Sequence, residues 1–195
     1  ITVLAGTPVI DLGAVSMDAC GGDLTDDIAV GGDTVDTETP GVYTVNFDTT
    51  DEQGNVADTL EREVVVLDEV RVDAAELSAP DPLGTADRPF GRVRDALTLA
   101  QELFDGDREI GVRLAPGQYV ETVEFSPNTR IAGSDAGAPE STVIEPEAAT
   151  LEESGAVLLD ATAGGTLSDL TVRMPENGPQ AGATLIRVDS DTLML

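Results

Sequence analysis

Two acidic loops in the first third of the sequence are its most chemically suggestive feature. Ca²⁺ takes about six to eight oxygen ligands, and loops rich in Asp and Asn supply such oxygens. A calcium site is therefore one hypothesis for these loops, and no other cofactor is predicted. The candidate ligands are Asp18, Asp23, Asp26, Asp27, Asp51 and Asn55.

The same acidic residues have a second interpretation that needs no metal. Asp and Asn side chains bind their own backbone in turns, and Gly54 supplies the positive φ that a tight hairpin requires. The sequence also lacks the Asp-x-Asp-x-Asp-Gly loop with a distal Glu that defines an EF-hand. We favour the turn interpretation and keep Ca²⁺ as a hypothesis.

Residue types that the sequence lacks exclude several chemistries. It has no His and no Lys, and Cys20 is its single cysteine. Catalysis by His, the usual zinc sites and phosphate loops that end in Lys are excluded. Cys20 cannot form an internal disulfide, and no cationic side chain beside it would stabilise a thiolate.

The charge balance excludes two classes of partner. The sequence carries 38 acidic and 10 basic residues, and the formal net charge is −28. A field of this sign repels nucleic acid and anionic lipid. No apolar run approaches the ~18 residues of a membrane helix. We therefore expect neither nucleic-acid binding nor membrane insertion within this sequence.

The first third of the sequence has the pattern of short strands joined by turns. Tyr43–Phe47 alternates apolar and polar residues, and Arg62–Leu67 is a second strand candidate. Ile1–Leu4 and Pro8–Ile10 are short apolar runs, and Asp51–Asn55 is typical of a hairpin loop. Turn signals about every ten residues, without a helical period, predict an antiparallel sandwich.

These residues resemble a known family. Gly22–Thr25, Val35–Val45 and Thr50–Ala57 follow in the order found in Ig-like modules of bacterial surface proteins, close to the HYR type. The resemblance implies an Ig-like β-sandwich over residues 1–69. HYR modules often pair a Cys near the Cys20 position with one on the last strands, and no second Cys is present here.

The remaining sequence predicts one helix followed by many short strands. Val70–Asp73 is a candidate first strand of this part. Residues 92–104 carry apolar residues at the 3.6-residue period of an amphipathic helix, namely Val93, Ala96, Leu97, Ala100 and Phe104. Short apolar runs separated by Gly, Pro, Asn and Asp follow it, as stacked repeats would require.

This second part resembles the beginning of a pectin-lyase-like parallel β-helix. Gly84–Phe90 is similar to the family segment that leads into a capping helix, and Val112–Glu121 is similar to the segment that begins the first coil. The resemblance implies that residues 70–195 form the N-terminal portion of a right-handed parallel β-helix. The helix near 92–104 would cover its open end. The predicted fold is therefore all-β.

Some members of that family are enzymes that use paired Asp residues, or Ca²⁺ with an Arg base. Asp169 and Arg173 flank a short strand four residues apart, so we expect them on the same side. A solvated coil face with salt bridges explains the same residues, and we favour it and assign no catalytic residue. The local candidates are Asp160, Asp169, Arg173, Arg187, Asp189 and Asp191.

Three functions follow as expectations. The first is a structural or adhesive protein of the bacterial cell surface or extracellular space, with polysaccharide or other surface proteins as partners. The second is a secreted polysaccharide lyase or hydrolase, and the third is a subunit of an extracellular filament. The sequence begins at Ile1 and ends inside the apolar run Thr192–Leu195. We therefore expect a piece of a longer protein whose catalytic coils, if any, would lie beyond residue 195.

Overall fold

The structure is a computed structural model that describes residues 1–19, 22–106, 108–124, 128–134, 139–145, 157–160, 165–173, 184–187 and 193–194. The chain divides into two compact units, residues 1–68 and residues 69–195. Among the described residues the regular structure is mostly strand, with one α-helix and several sheets, as expected of an all-β chain.

The first unit contains a four-stranded sheet and a separate two-stranded hairpin. The sheet has the strand order β1-β6-β5-β4, and β2 pairs with β3 in the hairpin. The strands are β1 Thr2–Leu4, β2 Met17–Asp18, β3 Gly22–Asp23, β4 Ala29–Gly32, β5 Gly41–Asp48 and β6 Leu60–Leu67.

The long strands β5 and β6 form the centre of this unit. They are antiparallel, and Tyr43 is aligned with Val64. Val45, Phe47 and Val64 are buried together beneath the irregular segments that carry Val9, Ala14, Ile28 and Val35. The alternation predicted for Tyr43–Phe47 is confirmed, because a strand covered on one face buries every second side chain.

Two details of the first unit differ from the sequence prediction. The strand β1 runs parallel to β6, so the sheet is mixed rather than purely antiparallel. Nearly the whole unit separates these two strands in sequence, and only a short hairpin connection would force an antiparallel pair. Pro8–Ile10, predicted as an apolar run of a strand, has no regular structure.

In its described residues, the second unit contains the helix α1, which spans Val93–Leu103, and eleven strands. Short 3₁₀ turns at Ala74–Glu76 and Pro139–Ser141 complete its described regular structure. The strands are β7 Val70–Val72, β8 Ile110–Leu114, β9 Gly117–Val120, β10 Val123–Glu124, β11 Thr129–Ala132, β12 Thr142–Glu145, β13 Val157–Asp160, β14 Gly165–Ser168, β15 Thr171–Val172, β16 Thr184–Arg187 and β17 Leu193–Met194.

These strands pair in three parallel ladders. The orders are β7-β8-β11-β14-β17, β9-β12-β15 and β10-β13-β16. From β8 onward, the neighbouring strands of each ladder are separated along the chain by one strand of each of the other two ladders, whereas β7 and β8 are separated by α1. The chain therefore visits the three ladders in turn.

A column of aliphatic side chains fills the interior beside the first ladder. Register aligns Val70 with Val112, Val112 with Ile131 and Ile131 with Leu167. All four side chains are buried. Aligned aliphatic residues on parallel strands pack directly on one another, so each added strand extends the core.

The first edge of this ladder is covered by the segment that precedes α1. The Arg71 amide donates to the Gly84 carbonyl, and the Asp73 amide donates to the Phe90 carbonyl. Gly84 has a φ of +75°, and a Cβ there would lie 3.0 Å from atoms of Phe90 and Val70. The segment therefore pairs backbone groups that an uncovered edge strand would leave exposed.

The N-terminus of helix α1 is capped by a residue that is distant in sequence. The helix buries Val93, Ala96, Leu97 and Ala100, which confirms four positions of the predicted apolar stripe. The fifth, Phe104, follows the last helical residue in extended backbone and is half-buried. The buried carboxylate of Glu121 accepts hydrogen bonds from the amides of Val93 at 2.8 Å and Arg94 at 3.0 Å. Two amides that have no partner within the helix are thereby satisfied, next to the positive end of its dipole.

Candidate functional site

The acidic residues of the first unit lie in the hairpin and the turn that follows it. Asp18 and Asp23 belong to the paired strands β2 and β3, and Asp26 and Asp27 lie in the 3₁₀ turn Thr25–Asp27. Hydrogen bonds from the hydroxyl and the amide of Thr25 lower the pKa of Asp23 below its ordinary value. The Asp23 carboxylate thus serves the local backbone, as the turn interpretation requires.

The second predicted loop has the same character. The Asp51 carboxylate accepts the Asn55 backbone amide at 2.7 Å and the Asn55 side-chain amide at 2.6 Å. The Asp51 amide donates to the Asn55 carbonyl at 2.9 Å, which closes the predicted hairpin loop. The hydrogen bonds that the Asp51 carboxylate accepts, that from the Asn55 side chain first, lower the pKa of Asp51. Asp51 and Asn55 are therefore brought together, but as partners within one turn.

The positions of the acidic side chains bear on the calcium hypothesis. In the described part of the chain, no three His, Cys, Asp or Glu side chains converge in a group that could hold a metal ion. The six candidate ligands lie on a hairpin with its adjoining turn and on a separate loop. Cys20 lies outside the described residues. Calcium binding remains a prediction that needs a direct measurement.

The candidate catalytic residues lie toward the end of the second unit. Asp169 is exposed, with a φ of +56°, and Arg173 is exposed just after β15. Within the described ranges no ion pair joins these two side chains. Asp160 and Arg187 are register partners on β13 and β16, where only the backbone is described. Asp189 and Asp191 lie outside the described residues.

One arginine fastens an irregular segment of the first unit to its sheet. The Arg62 guanidinium pairs with the Asp11 carboxylate and donates to the Gly13 carbonyl at 2.9 Å. It also lies 4.8 Å from the centre of the Phe47 ring. Arg62 therefore combines an ion pair, a backbone bond and a cation–π contact at the edge of the small core.

Two arginines of the second unit form a polar cluster around one carboxylate. The Arg71 guanidinium lies 2.9 Å from the Glu69 carboxylate, and Arg113 Nε lies 3.2 Å from the same carboxylate. Arg113 Nη1 also donates to the Gly133 carbonyl at 3.1 Å. Sequence reasoning missed this cluster, although the alternation in Val70–Asp73 and Gly111–Leu114 was a signal that both arginines face outward.

Tyr119 is a further buried polar group that the sequence prediction did not single out. Its hydroxyl donates to the Ala115 carbonyl at 2.8 Å and lies 3.2 Å from the Val72 carbonyl. Burial raises the pKa of this phenol above its ordinary value. Tyr119 therefore joins β9 to β7 and to the turn before β9.

Comparison with known protein families finds a match over the first third of the chain. Residues 1–66 match the family of Ig-like domains described as bacterial surface protein, Ig-like domain. The first unit is thus similar to domains of bacterial surface proteins, which confirms the resemblance to their Ig-like modules, though not the HYR type, and indicates a surface-associated protein. The match does not extend to the second unit.

Two other comparisons add little. A lipoprotein of known structure from Bacteroides thetaiotaomicron is 29% identical over 33% of this chain and 31% of its own, with a TM-score of 0.30. The aligned region thus spans about a third of that lipoprotein. No curated protein matches the chain. Among the described residues, no helix is long and apolar enough to cross a membrane.

Proposed function

We propose that this chain is part of a structural or adhesive protein of the bacterial cell surface. In this proposal the first unit is an Ig-like spacer or docking module. The second unit is the beginning of a right-handed parallel β-helix that serves as a stalk or binding surface. The observation that carries the surface role is the match of residues 1–66 to Ig-like domains of bacterial surface proteins.

Strand pairing supports the β-helix part of the proposal. A chain that visits three parallel ladders in turn places each round of strands on the previous one. Connections between parallel strands of one sheet are right-handed in about 98% of cases, which favours a right-handed coil. The column of Val70, Val112, Ile131 and Leu167 is the continuous core that such stacking would create.

The acidic surface suits the extracellular part of the proposal. A net charge of −28 keeps molecules apart in solution and disfavours contact with nucleic acid and anionic lipid. Other surface proteins or polysaccharide are the proposed partners. A stiff module attached to an Ig-like unit would hold a binding surface for these partners at a distance from the cell.

Labelling of intact cells tests the surface role. An antibody raised against residues 1–68 should stain intact cells of the source organism as strongly as permeabilised ones. Staining that needs permeabilisation would contradict the proposal. Release of unsaturated or reducing ends from acidic polysaccharides, in amounts proportional to the protein, would instead favour the enzyme.

Register-directed crosslinking tests the stacked coils. Arg130 and Thr166 are register partners on β11 and β14, and a disulfide between neighbouring parallel strands falls within the usual Cα separation of about 4.4–6.8 Å. With Cys20 changed to Ser, the pair Arg130→Cys and Thr166→Cys should oxidise readily. The offset pair Arg130→Cys and Ser168→Cys is the matched control. Equal crosslinking of both pairs would argue against a fixed parallel register.

A further inference from the structure

A cleft on the second unit brings two arginines together with apolar walls. Its volume is about 370 Å³, which falls within the range of about 300–1,000 Å³ usual for small-molecule sites. The residues that matter for its chemistry are Arg71, Asp73, Pro89, Arg113, Pro116 and Ser134. It is formed by the outer side of β7 and β8 and by the segment that covers the first edge of the ladder.

The two arginines are aligned by the ladder itself. Arg71 on β7 and Arg113 on β8 are register partners, so their side chains leave neighbouring strands on the same face. Like charges in this arrangement repel one another, and a bridging anion relieves the repulsion. Glu69 supplies such a bridge at 2.9 Å from Arg71 and 3.2 Å from Arg113. The geometry thus already accommodates one carboxylate between two guanidinium groups.

The arginine side chains are held in place before any ligand arrives. Arg113 is fixed by Glu69 on one side and by the Gly133 carbonyl on the other. Its side chain is 18% exposed and that of Arg71 is 35% exposed, so both reach solvent at the cleft. A guanidinium with a fixed orientation loses little entropy when it binds a planar carboxylate.

The other groups of the cleft favour an anion with a hydrocarbon part. Two of the chain's ten basic residues line it, although the whole chain carries a net charge of −28. Among the described residues that line the cleft, Asp73 is the one acidic residue, and one of its carboxylate oxygens caps the Ala75 amide at 2.9 Å. Pro89 and Pro116 add apolar surface, which reduces the local water and strengthens charge-assisted hydrogen bonds.

We propose that this cleft binds a small organic carboxylate. The carboxylate group binds Arg71 and Arg113, and the hydrocarbon part of the ligand packs against Pro89 and Pro116. The ligand joins or displaces Glu69 as the anion between the two guanidinium groups. This site is independent of the surface role, because neither the family match nor the strand stacking enters the argument.

Titration of the whole chain with succinate tests the site, and neutral succinamide of the same shape is the control ligand. Every basic side chain is an arginine, so the ten Nε–Hε signals can be followed by nuclear magnetic resonance at constant ionic strength. Succinate should produce saturable shifts at Arg71 and Arg113, and succinamide should produce none.

Two variants that each lose one positive charge distinguish binding at the cleft from a general attraction of the anion by net charge. Arg71→Met should weaken succinate binding at least about tenfold, since it removes charge-assisted bonds. Arg94→Met removes an exposed arginine of α1 that pairs with Asp95, and it should change the affinity less than about twofold. Should Arg71→Met fail to fold, the wild-type titration with the two ligands decides alone.

The proposal is overturned by any of three results. The first is a linear, non-saturating response to succinate, and the second is an equal response to succinamide. The third is an equal loss of affinity in Arg71→Met and Arg94→Met, which would show that net charge rather than the cleft attracts the anion.

Discussion

The two units of this chain differ in how many large apolar side chains they leave exposed to solvent. Among the described residues, two large hydrophobic side chains of the second unit are exposed, Leu77 and Val120. Those exposed in the first unit are Ile1, Ile10, Leu12, Val15, Met17, Val30, Val42, Val56 and Leu60. Leucine, for example, is almost fully exposed at Leu12 in the first unit and fully buried at Leu114 in the second, so residue type alone does not explain the difference.

The architecture explains the contrast. The first unit has one four-stranded sheet, and irregular segments cover one of its faces. Ile10 and Leu12 belong to such a segment and project from it, 79% and 96% exposed. In the second unit the strands are divided among three parallel ladders, and side chains at aligned positions, such as Val112 and Ile131, stack in the interior. Burial thus depends on whether neighbouring strands repeat the same inward position, more than on local hydrophobicity.

Truncation of one isoleucine in each unit should give the largest difference between the stability losses of the two units. Ile131 is fully buried, so Ile131→Ala should lower the free energy of unfolding of the second unit by about 2–5 kcal/mol. Ile10→Ala, at an exposed position, should change that of the first unit by less than about 0.5 kcal/mol.

Tyrosine fluorescence during urea unfolding can report each unit separately. The chain has two tyrosines and no tryptophan, and Tyr43 lies in the first unit and Tyr119 in the second. Tyr43→Phe therefore leaves a reporter of the second unit, and Tyr119→Phe leaves a reporter of the first. Similar losses for the two isoleucine variants would refute the contrast between the units.

Removal of the distant helix cap should have the next largest effect. Glu121→Ala leaves the amides of Val93 and Arg94 without their acceptor in a buried place, at a cost of about 1–3 kcal/mol. Glu102→Ala is the matched control, because Glu102 is exposed in the last turn of the same helix. Its removal should be neutral or slightly stabilising, since a carboxylate is unfavourable at that end of the helix dipole. Equal effects of the two variants on the urea midpoint would argue against the cap.

The same helix shows how far sequence reasoning extends. Its position and its buried stripe follow from the 3.6-residue period, which is a local pattern. Its cap does not, because Glu121 acts across 28 positions of sequence. The parallel pairing of β1 with β6 and the alignment of Arg71 with Arg113 are likewise long-range. The turn bonds of Asp51 and Asn55 were predictable, since both partners lie within one loop.

Removal of the tyrosine hydroxyl in each unit should give a smaller difference between the stability losses of the two units. Tyr119→Phe removes hydrogen bonds to the Ala115 and Val72 carbonyls in the core, so it should destabilise the second unit by about 1 kcal/mol. Tyr43→Phe removes an exposed bond to the Thr39 carbonyl and should cost the first unit less. Unfolding of each variant, followed by circular dichroism, measures both losses.

Alkaline pH should act through the same residue. Burial raises the pKa of Tyr119 in the folded chain above its unfolded value of about 10. Its contribution to stability is therefore fully present below pH 10. It decreases above that pH by about 1.4 kcal/mol per pH unit, because the unfolded state then releases a proton that the folded state retains. The second unit should lose stability above pH 10, and Tyr119→Phe should lose less of it. An unchanged pH profile in that variant would contradict the assignment.

The smallest expected effect concerns Ca²⁺ and the acidic loops of the first unit. The Asp23 and Asp51 carboxylates already bind turn amides, so we expect Ca²⁺ to raise the melting temperature of this unit no more than Mg²⁺ does at equal ionic strength. Both ions would then act by screening alone. A true site would add a Ca²⁺-specific increase that grows with the logarithm of concentration. Such an increase, removed by EDTA and by Asp51→Ala but retained in the control Asp58→Ala, would overturn the turn interpretation and make these loops a metal site.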